Sequence, residues 1–233
     1  MDSVGEWSHE FDLLYDNITS GKAPGLVPFE KSVFLTHGEE NVVVGLYNGT
    51  ISVPFESTEE VTSYLATLVD QATGTEVGES DVNHKVLSDQ SKVYKLNNKD
   101  ILFITLEECK IKTQSGDKIV PVNPVPQDEY FRTIRNPFKG ANGNRVLRLA
   151  YSSIGESAGT FTETRYAELI SPCEIEEYKV RYIKRPEPII LETLTGGLSI
   201  NGKTTAATCK LPKAIHGLIL AEAVRLAKAV WNS

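Results

Sequence analysis

Tyr178-Lys179-Val180-Arg181-Tyr182, then Lys184-Arg185-Pro186-Glu187-Pro188, then Ile189-Ile190-Leu191, open the stretch from Ile175 to Trp231 that decides the fold. Alternation puts Tyr178, Val180 and Tyr182 on one face of a strand, and Lys179, Arg181 and Ile183 on the other. The prolines separate this strand from a second apolar run. Asn201-Gly202, between Leu198-Ser199-Ile200 and Lys203-Thr204-Thr205, is a hairpin signal, because both residues tolerate positive φ. A closing helix runs from about Lys213 to Trp231. Ile215, Ile219, Ala223, Leu226 and Val230 form its apolar stripe, while Lys213, Glu222, Arg225 and Lys228 point away. A small sheet followed by an amphipathic helix predicts a helix laid over a sheet face.

Upstream of this stretch, strands are expected at Ile101 to Ile104, Cys109 to Thr113 and Lys118 to Val122, the last two joined by the turn Gln114-Ser115-Gly116-Asp117. Pro121, Pro124 and Pro126 should break the ladder. Gln127 to Arg135 reads as a short helix, Asn142-Gly143 as a turn, and Arg145 to Leu149 and Arg165 to Ile170 as strands. The Gly/Ser/Thr-rich stretch Ser152 to Thr160 and the polar stretch Ala72 to Gln90 read as loops.

The first 70 or so residues read as short helices. Ser8 looks like an N-cap for Phe11, Leu14, Tyr15 and Ile18, and Gly21 with Pro24-Gly25 should end that helix. Pro28 can open a second, with Phe29, Val33 and Phe34 as contacts. Thr36-x-x-Glu39 and Ser57-x-x-Glu60 have the capping-box spacing, the latter followed by Val61, Tyr64, Leu65 and Leu68. The expectation is an α+β fold: N-terminal short helices, a central mostly antiparallel sheet with hairpins, and a C-terminal amphipathic helix. Residues 1–71 form the helical unit, 72–98 a solvated linker, and 99–233 a sheet region closed by the last helix, as separate units or as one composite domain.

The chain has 233 residues and a net charge of −7, a balance that disfavours a sequence-reading nucleic-acid binder. Cys109, Cys173 and Cys209 lie far apart, so reduced thiols are expected. The first residues lack a basic segment followed by an apolar one, so no signal peptide is expected. No apolar run reaches the ~20 residues of a membrane helix. Assembly in a cytoplasm, without a membrane partner, follows as the expectation.

A search for chemistry returns nothing that coheres. His9, His37, His84 and His216 show no metal-ligand spacing. His216 reads as a packed or capping side chain, and Cys109, after Glu107-Glu108, as a buried thiol without a base. No glycine pattern cradles a phosphate. No catalytic, cofactor-binding or metal-ligating residue is therefore expected, and no cofactor. Arg181, Lys184 and Arg185 are the best basic cluster. They could meet nucleic acid, a neighbouring subunit, or Glu174, Glu176, Glu177 and Glu187; pairing is favoured because acids surround them.

Taken together, Phe29-Glu30-Lys31-Ser32-Val33-Phe34-Leu35-Thr36, Asn136-Pro137-Phe138 with Arg145-Val146-Leu147-Arg148-Leu149, Val180-Arg181-Tyr182, Lys184-Arg185-Pro186 with Pro188-Ile189-Ile190-Leu191, and Cys209-Lys210-Leu211-Pro212 with His216 resemble, in order, a virion protein of crAss-like tailed bacteriophages. Lys210, where the family usually has an acid, and Gly217, where it usually has a charge, depart from the pattern, as does the helix start at Thr36-His37-Gly38. The resemblance implies a non-catalytic ring protein of the head–tail junction. It would form a dodecamer stacked on the portal protein beside other tail and ring proteins. Double-stranded DNA would pass through its lumen without sequence-specific binding. Ring faces could then be built from Arg181, Lys184 and Arg185 and from Glu174, Glu176 and Glu177, with the long loops ordering on assembly. Two rivals stay open: an assembly chaperone or binding module, absent from particles, and a cytoplasmic enzyme, which needs a cleft of convergent ionisable groups.

Overall fold

The computed structural model describes residues 1–19, 25–51, 57–78, 86–97, 100–114, 116–157 and 160–231. The helix stop at Gly21 and Pro24, residues 79–85 of the polar stretch before Gln90, His84 among them, and Ser115 of the hairpin turn fall outside these residues. The chain is α+β, with helices toward both ends and an eight-stranded, mostly antiparallel sheet between. It forms two compact units: Met1–Leu68 with Arg185–Ser233, and Val69–Lys184. The segment 99–233 is thus shared between the two.

The first unit is helical. Helix α1 (Val4–Thr19) starts before Ser8, because Ser3 caps it: the Glu6 N–H donates to Ser3 Oγ at 3.2 Å. Ser8 instead accepts from Lys31 Nζ at 3.4 Å, beside the Lys31–Asp12 ion pair at 2.7 Å. Trp7, Phe11 and Tyr15 are its buried stripe, and Leu14 is exposed.

Helix α2 (Pro28–Tyr47) is one helix of 20 residues, not a short one restarted at Thr36. Pro28 sits in its first turn and the Glu30 carboxylate accepts the Val27 N–H at 3.0 Å. The expected box at Thr36 and Glu39 lies mid-helix with both residues buried. The Thr36 hydroxyl serves tertiary structure instead. It lies 3.3 Å from the Ile189 carbonyl and 3.2 Å from the Ile189 N–H, while Ser32 Oγ accepts the Leu191 N–H at 2.9 Å. Two hydroxyls one turn apart thus hold the backbone of 189–191, which is extended but is not a strand of the sheet. Its bridge is Ile190 with Ala207. Ile190, Leu194 and Ile200 pack with Phe29 and Val33. The Asn201-Gly202 turn forms as read, with φ of 49° and 76°, between single bridged residues rather than long strands.

Helix α3 (Ser57–Ala66) forms as its spacing suggests, with Leu65 and Leu68 buried; the side chains of its capping box lie outside the described residues. Helix α5 (His216–Trp231) follows a 3-10 turn at Lys213–Ile215. It packs on α2 and α1. Its buried stripe is Ile219, Leu220, Ala223, Val224 and Ala227, rotated from the one expected: Leu226 is half-buried and Val230 exposed.

The second unit is the sheet. Its strands are β1 (Val69–Thr73), β2 (Thr75–Val77), β3 (Ser91–Leu96), β4 (Ile101–Thr113), β5 (Gly116–Pro124), β6 (Val146–Ser157), β7 (Thr160–Ile170) and β8 (Glu174–Lys184). Their order is β1-β8-β4-β5-β6-β7-β3-β2. All paired neighbours are antiparallel except β5 and β6.

β1 and β2 stand at opposite ends of this order, yet only Gly74 separates them in sequence. The sheet therefore curls until its ends meet at Gly74, whose N–H donates to the Tyr178 carbonyl at 2.9 Å. A Cβ there would lie 2.6 Å from the Tyr178 ring and 3.1 Å from Tyr94, so only glycine lets the strand cross between these two rings. The core is shared by both halves: Tyr94, Leu96 and Leu169 from one, Cys109, Ile111, Tyr178 and Val180 from the other.

Three expectations need correction in this unit. The loop from Ala72 begins as the end of β1 and then β2, since Thr and Val in alternation suit an edge strand. The loop Ser152 to Thr160 is drawn into the ends of β6 and β7, which pair as far as Ser157 and Thr160. Pro121 lies within β5 rather than ending it, and the strand runs on to Pro124. Gly116 to Pro121 pair with β4, and Val122 to Pro124 pair with β6, so Pro121 marks the point where the strand changes neighbours and needs no donor.

Candidate assembly interface

Several buried polar groups in both units are paired with one another. Glu107 is buried, and its carboxylate takes Arg148 Nε at 2.8 Å and the Tyr178 hydroxyl. Burial, then the Glu107 charge, push the Tyr178 phenol well above its ordinary range. Glu39 is buried with the Cys209 thiol donating to its Oε1 at 3.0 Å. Burial raises the Glu39 carboxyl to about 8, so it is neutral at pH 7. Cys109 is fully buried and pushed up to about 12 by that burial, then by Glu107 and Glu108, which leaves an inert thiol. His216 is buried against Trp7, ring centroids 5.1 Å apart, with Nε2 2.9 Å from the Leu211 carbonyl; burial lowers its pKa. His9 and His37 are exposed. Among the described residues no three His, Cys, Asp or Glu side chains gather around a point where a metal could sit.

The charged residues picked from sequence scatter on inspection. Arg185 pairs with Glu40 at 3.5 Å, not with its sequence neighbours. Glu187 takes Lys203 at 3.2 Å and Lys210 at 2.7 Å. Glu176 pairs with Lys110 at 2.6 Å and Glu177 with Lys179 at 2.8 Å. Arg181 is exposed on the outer face of β8, as alternation requires, while Tyr178, Val180 and Tyr182 are buried. The expected acidic cluster is thus largely neutralised within the chain.

A cleft of about 270 Å³ in the sheet unit is lined by Leu96, Ile104, Arg148, Tyr151, Glu163 and Tyr166 among others. Glu163 is its one acid and faces Arg165 at 3.8 Å. Tyr151 and Tyr166 stack with centroids 5.3 Å apart. Its described lining holds no Cys or His.

The larger concavity, about 560 Å³, is lined by Pro124, Val125, Pro126, Phe138, Lys139 and Arg145 among others. It borders a lobe from Tyr130 to Arg145, read from sequence as a short helix and a turn but not as a surface. Helix α4 (Tyr130–Ile134) anchors the lobe through Tyr130, buried with Leu147, Leu149 and Ile170. Phe131, Ile134 and Phe138 project outward, Phe138 85% and Phe131 63% exposed. Exposed, yet fixed: the Asn136 carboxamide accepts the Phe138 N–H at 2.9 Å, Asn142 accepts the Asn144 N–H at 2.9 Å, and Arg145 donates to the Phe138 carbonyl at 2.8 Å. Gly140 bonds the Asn136 carbonyl at 2.8 Å. A rigid, aromatic, solvent-facing loop is the signature of a surface built to meet another. Its sequence signal was the pair of aromatics flanking polar turns, read above only as punctuation.

Comparison with known proteins gives this surface its context. The sequence profile of the phage tail ring protein 3/4 family matches residues 2–233. Ring protein 3 of Bacteroides phage crAss001 is 36% identical, over 95% of this chain and 93% of that protein. Ring protein 4/5 of the same phage is 34% identical, over 99% of this chain and 94% of that protein. Among the described residues no helix is long and apolar enough to cross a membrane. The chain belongs to the phage tail ring protein 3/4 family.

Proposed function

We propose that the chain is the non-catalytic subunit of a closed, twelvefold ring at the head–tail junction, stacked with the portal and other tail rings around the genome's path. The observation that carries this reading is the family match from residue 2 to residue 233. The near-equal identity to two ring proteins of one phage supports a stack of related rings, each meeting its own kind. A closed ring is a heterologous contact repeated until it returns to its start, so each subunit needs two unlike faces. The net charge of −7 suits a lumen through which duplex DNA slides, because phosphates find little to grip.

Cryo-EM of the neck of intact particles tests the reading. It predicts density for this chain as a twelve-membered ring between the portal and the distal tail. Absence from purified particles would replace it with an assembly factor. Changing lumen-facing acids to lysine should slow genome ejection; unaltered ejection would remove the conduit role.

A further inference from the structure

We propose that α1 of one copy docks on the Phe131–Arg145 lobe of the next, closing the ring head to tail through an acidic leucine face and a basic aromatic face. The proposal deepens the ring reading and rests on it.

The two surfaces are opposite in charge and alike in bearing exposed apolar side chains. From Met1 to Gly21 the sequence holds five acids and no Lys or Arg. On α1, Glu6, Glu10, Leu13 and Leu14 fall at i, i+4, i+7 and i+8, one stripe beside the buried Trp7, Phe11 and Tyr15. Leu13 is 54% exposed and Leu14 is exposed next to it. Asp16, also exposed, extends the acidic rim. Asp2 and Asp12 are spent on Lys213 and Lys31, and Lys228 donates to the Leu14 carbonyl at 3.3 Å, which leaves Glu6, Glu10 and Asp16 beside the two leucines. Such a surface calls for a partner that is apolar at its centre and cationic at its edge.

The lobe has that composition. From Tyr130 to Leu149 there are five cations and no acid, in a chain whose net charge is negative. Arg148 is spent internally on Glu107. Arg132, Arg135 and Lys139 are exposed and make no ion pair among the described residues. Phe131, Ile134 and Phe138 stand among them; Phe138 and Lys139 line the concavity together with Pro124, Val125, Pro126 and one acid, Glu129. The loop is already fixed by its Asn136 and Asn142 turns, so docking need not order it. α1 and the lobe belong to different compact units, so the contact is heterologous, as ring closure requires. Duplex DNA is the competing occupant for a basic patch. The bare phenylalanines argue against it, since a phosphate backbone offers them nothing apolar.

The test uses the full chain, with native mass spectrometry reading ring formation and particle reconstitution reading DNA retention. Arg135→Glu with Lys139→Glu, and separately Glu10→Lys with Asp16→Lys, should each raise the concentration needed for rings by at least about tenfold. The combined charge swap should restore it. A Leu13→Cys, Phe138→Cys variant should give a ladder of cross-linked oligomers with a short bismaleimide, and neither single variant should. Rings that form normally in every charge variant and give no ladder overturn this contact and leave the ring reading intact. A wild-type chain that stays monomeric alone and in particles overturns both. Rings that persist in the lobe variant while DNA retention falls assign the lobe to DNA and overturn the proposal.

Discussion

Gly38 of α2 lies directly on the backbone of Ala223 in α5: a Cβ at residue 38 would sit 2.8 Å from the Ala223 nitrogen and 2.9 Å from the Ile219 carbonyl oxygen. Both clashes are with helix backbone, which cannot rotate away. Gly38→Ala should therefore destabilise by about 2 kcal/mol, although alanine is the better helix former. Gly217, in the first turn of α5, has nothing within 4 Å of its added Cβ. Gly217→Ala should stabilise by about 0.5 kcal/mol. Urea unfolding of both variants checks the pair; equal effects would mean that the helices do not touch as described.

A second prediction concerns pH. Glu39 is held protonated by burial, to about 8 against an ordinary 4.5. Below pH 4.5 it is protonated folded or unfolded, and its contribution is fully present. Between 4.5 and 8 the unfolded chain sheds the proton and the fold keeps it, so stability falls as pH rises, by on the order of 5 kcal/mol across the window. Glu39→Gln should flatten this part of the profile. The urea midpoints of the two proteins, compared at pH 5, 6.5 and 8, should draw apart toward pH 8, with Glu39→Gln the more stable there. Parallel curves would show that the carboxyl is ionised in the fold.

The Glu107–Arg148–Tyr178 group supplies a third. Glu107→Ala leaves the Arg148 guanidinium largely buried without its counter-charge and should cost about 3 kcal/mol. Glu107→Leu with Arg148→Met removes both charges and should recover more than half of that loss. Thermal denaturation reads both. Additive losses in the double variant would mean that the two residues act apart.

A fourth separates stability from assembly. Phe138 is so exposed that Phe138→Ala should change unfolding free energy by less than about 0.5 kcal/mol. Any large loss by calorimetry would place Phe138 in the subunit's own core.

The parts of the fold legible in the sequence are those fixed by local rules. Alternation over Tyr178 to Tyr182 gave the right buried face, Asn201-Gly202 gave its turn, and Val61 to Leu68 gave α3. What could not be read depended on partners distant in sequence. Thr36 and Glu39 have cap spacing, but their hydroxyl and carboxyl answer to Ile189 and Cys209, about 150 and 170 residues away in sequence. The stripe of α5 turned because α2 and α1, not a sheet face, receive it. Gly38 disfavours a helix by local propensity and is the point where α2 meets α5. The candidate interface escaped for a related reason: Phe131 and Phe138 resemble core residues by composition, and only exposure distinguishes them.

The helical unit is split by the sheet unit, which the chain enters at Val69 and leaves near Ile183, paired neighbours on adjacent strands. On a ribosome, the sheet segment emerges and can fold while α1 to α3 still wait for residues 185–233. Trp7 has no His216 to lean on, and Gly38 has no Ala223, until the last helix is released. Helix α1 is thus seated only after residues 185–231 have followed the sheet segment out, so the unit made first is the one completed last.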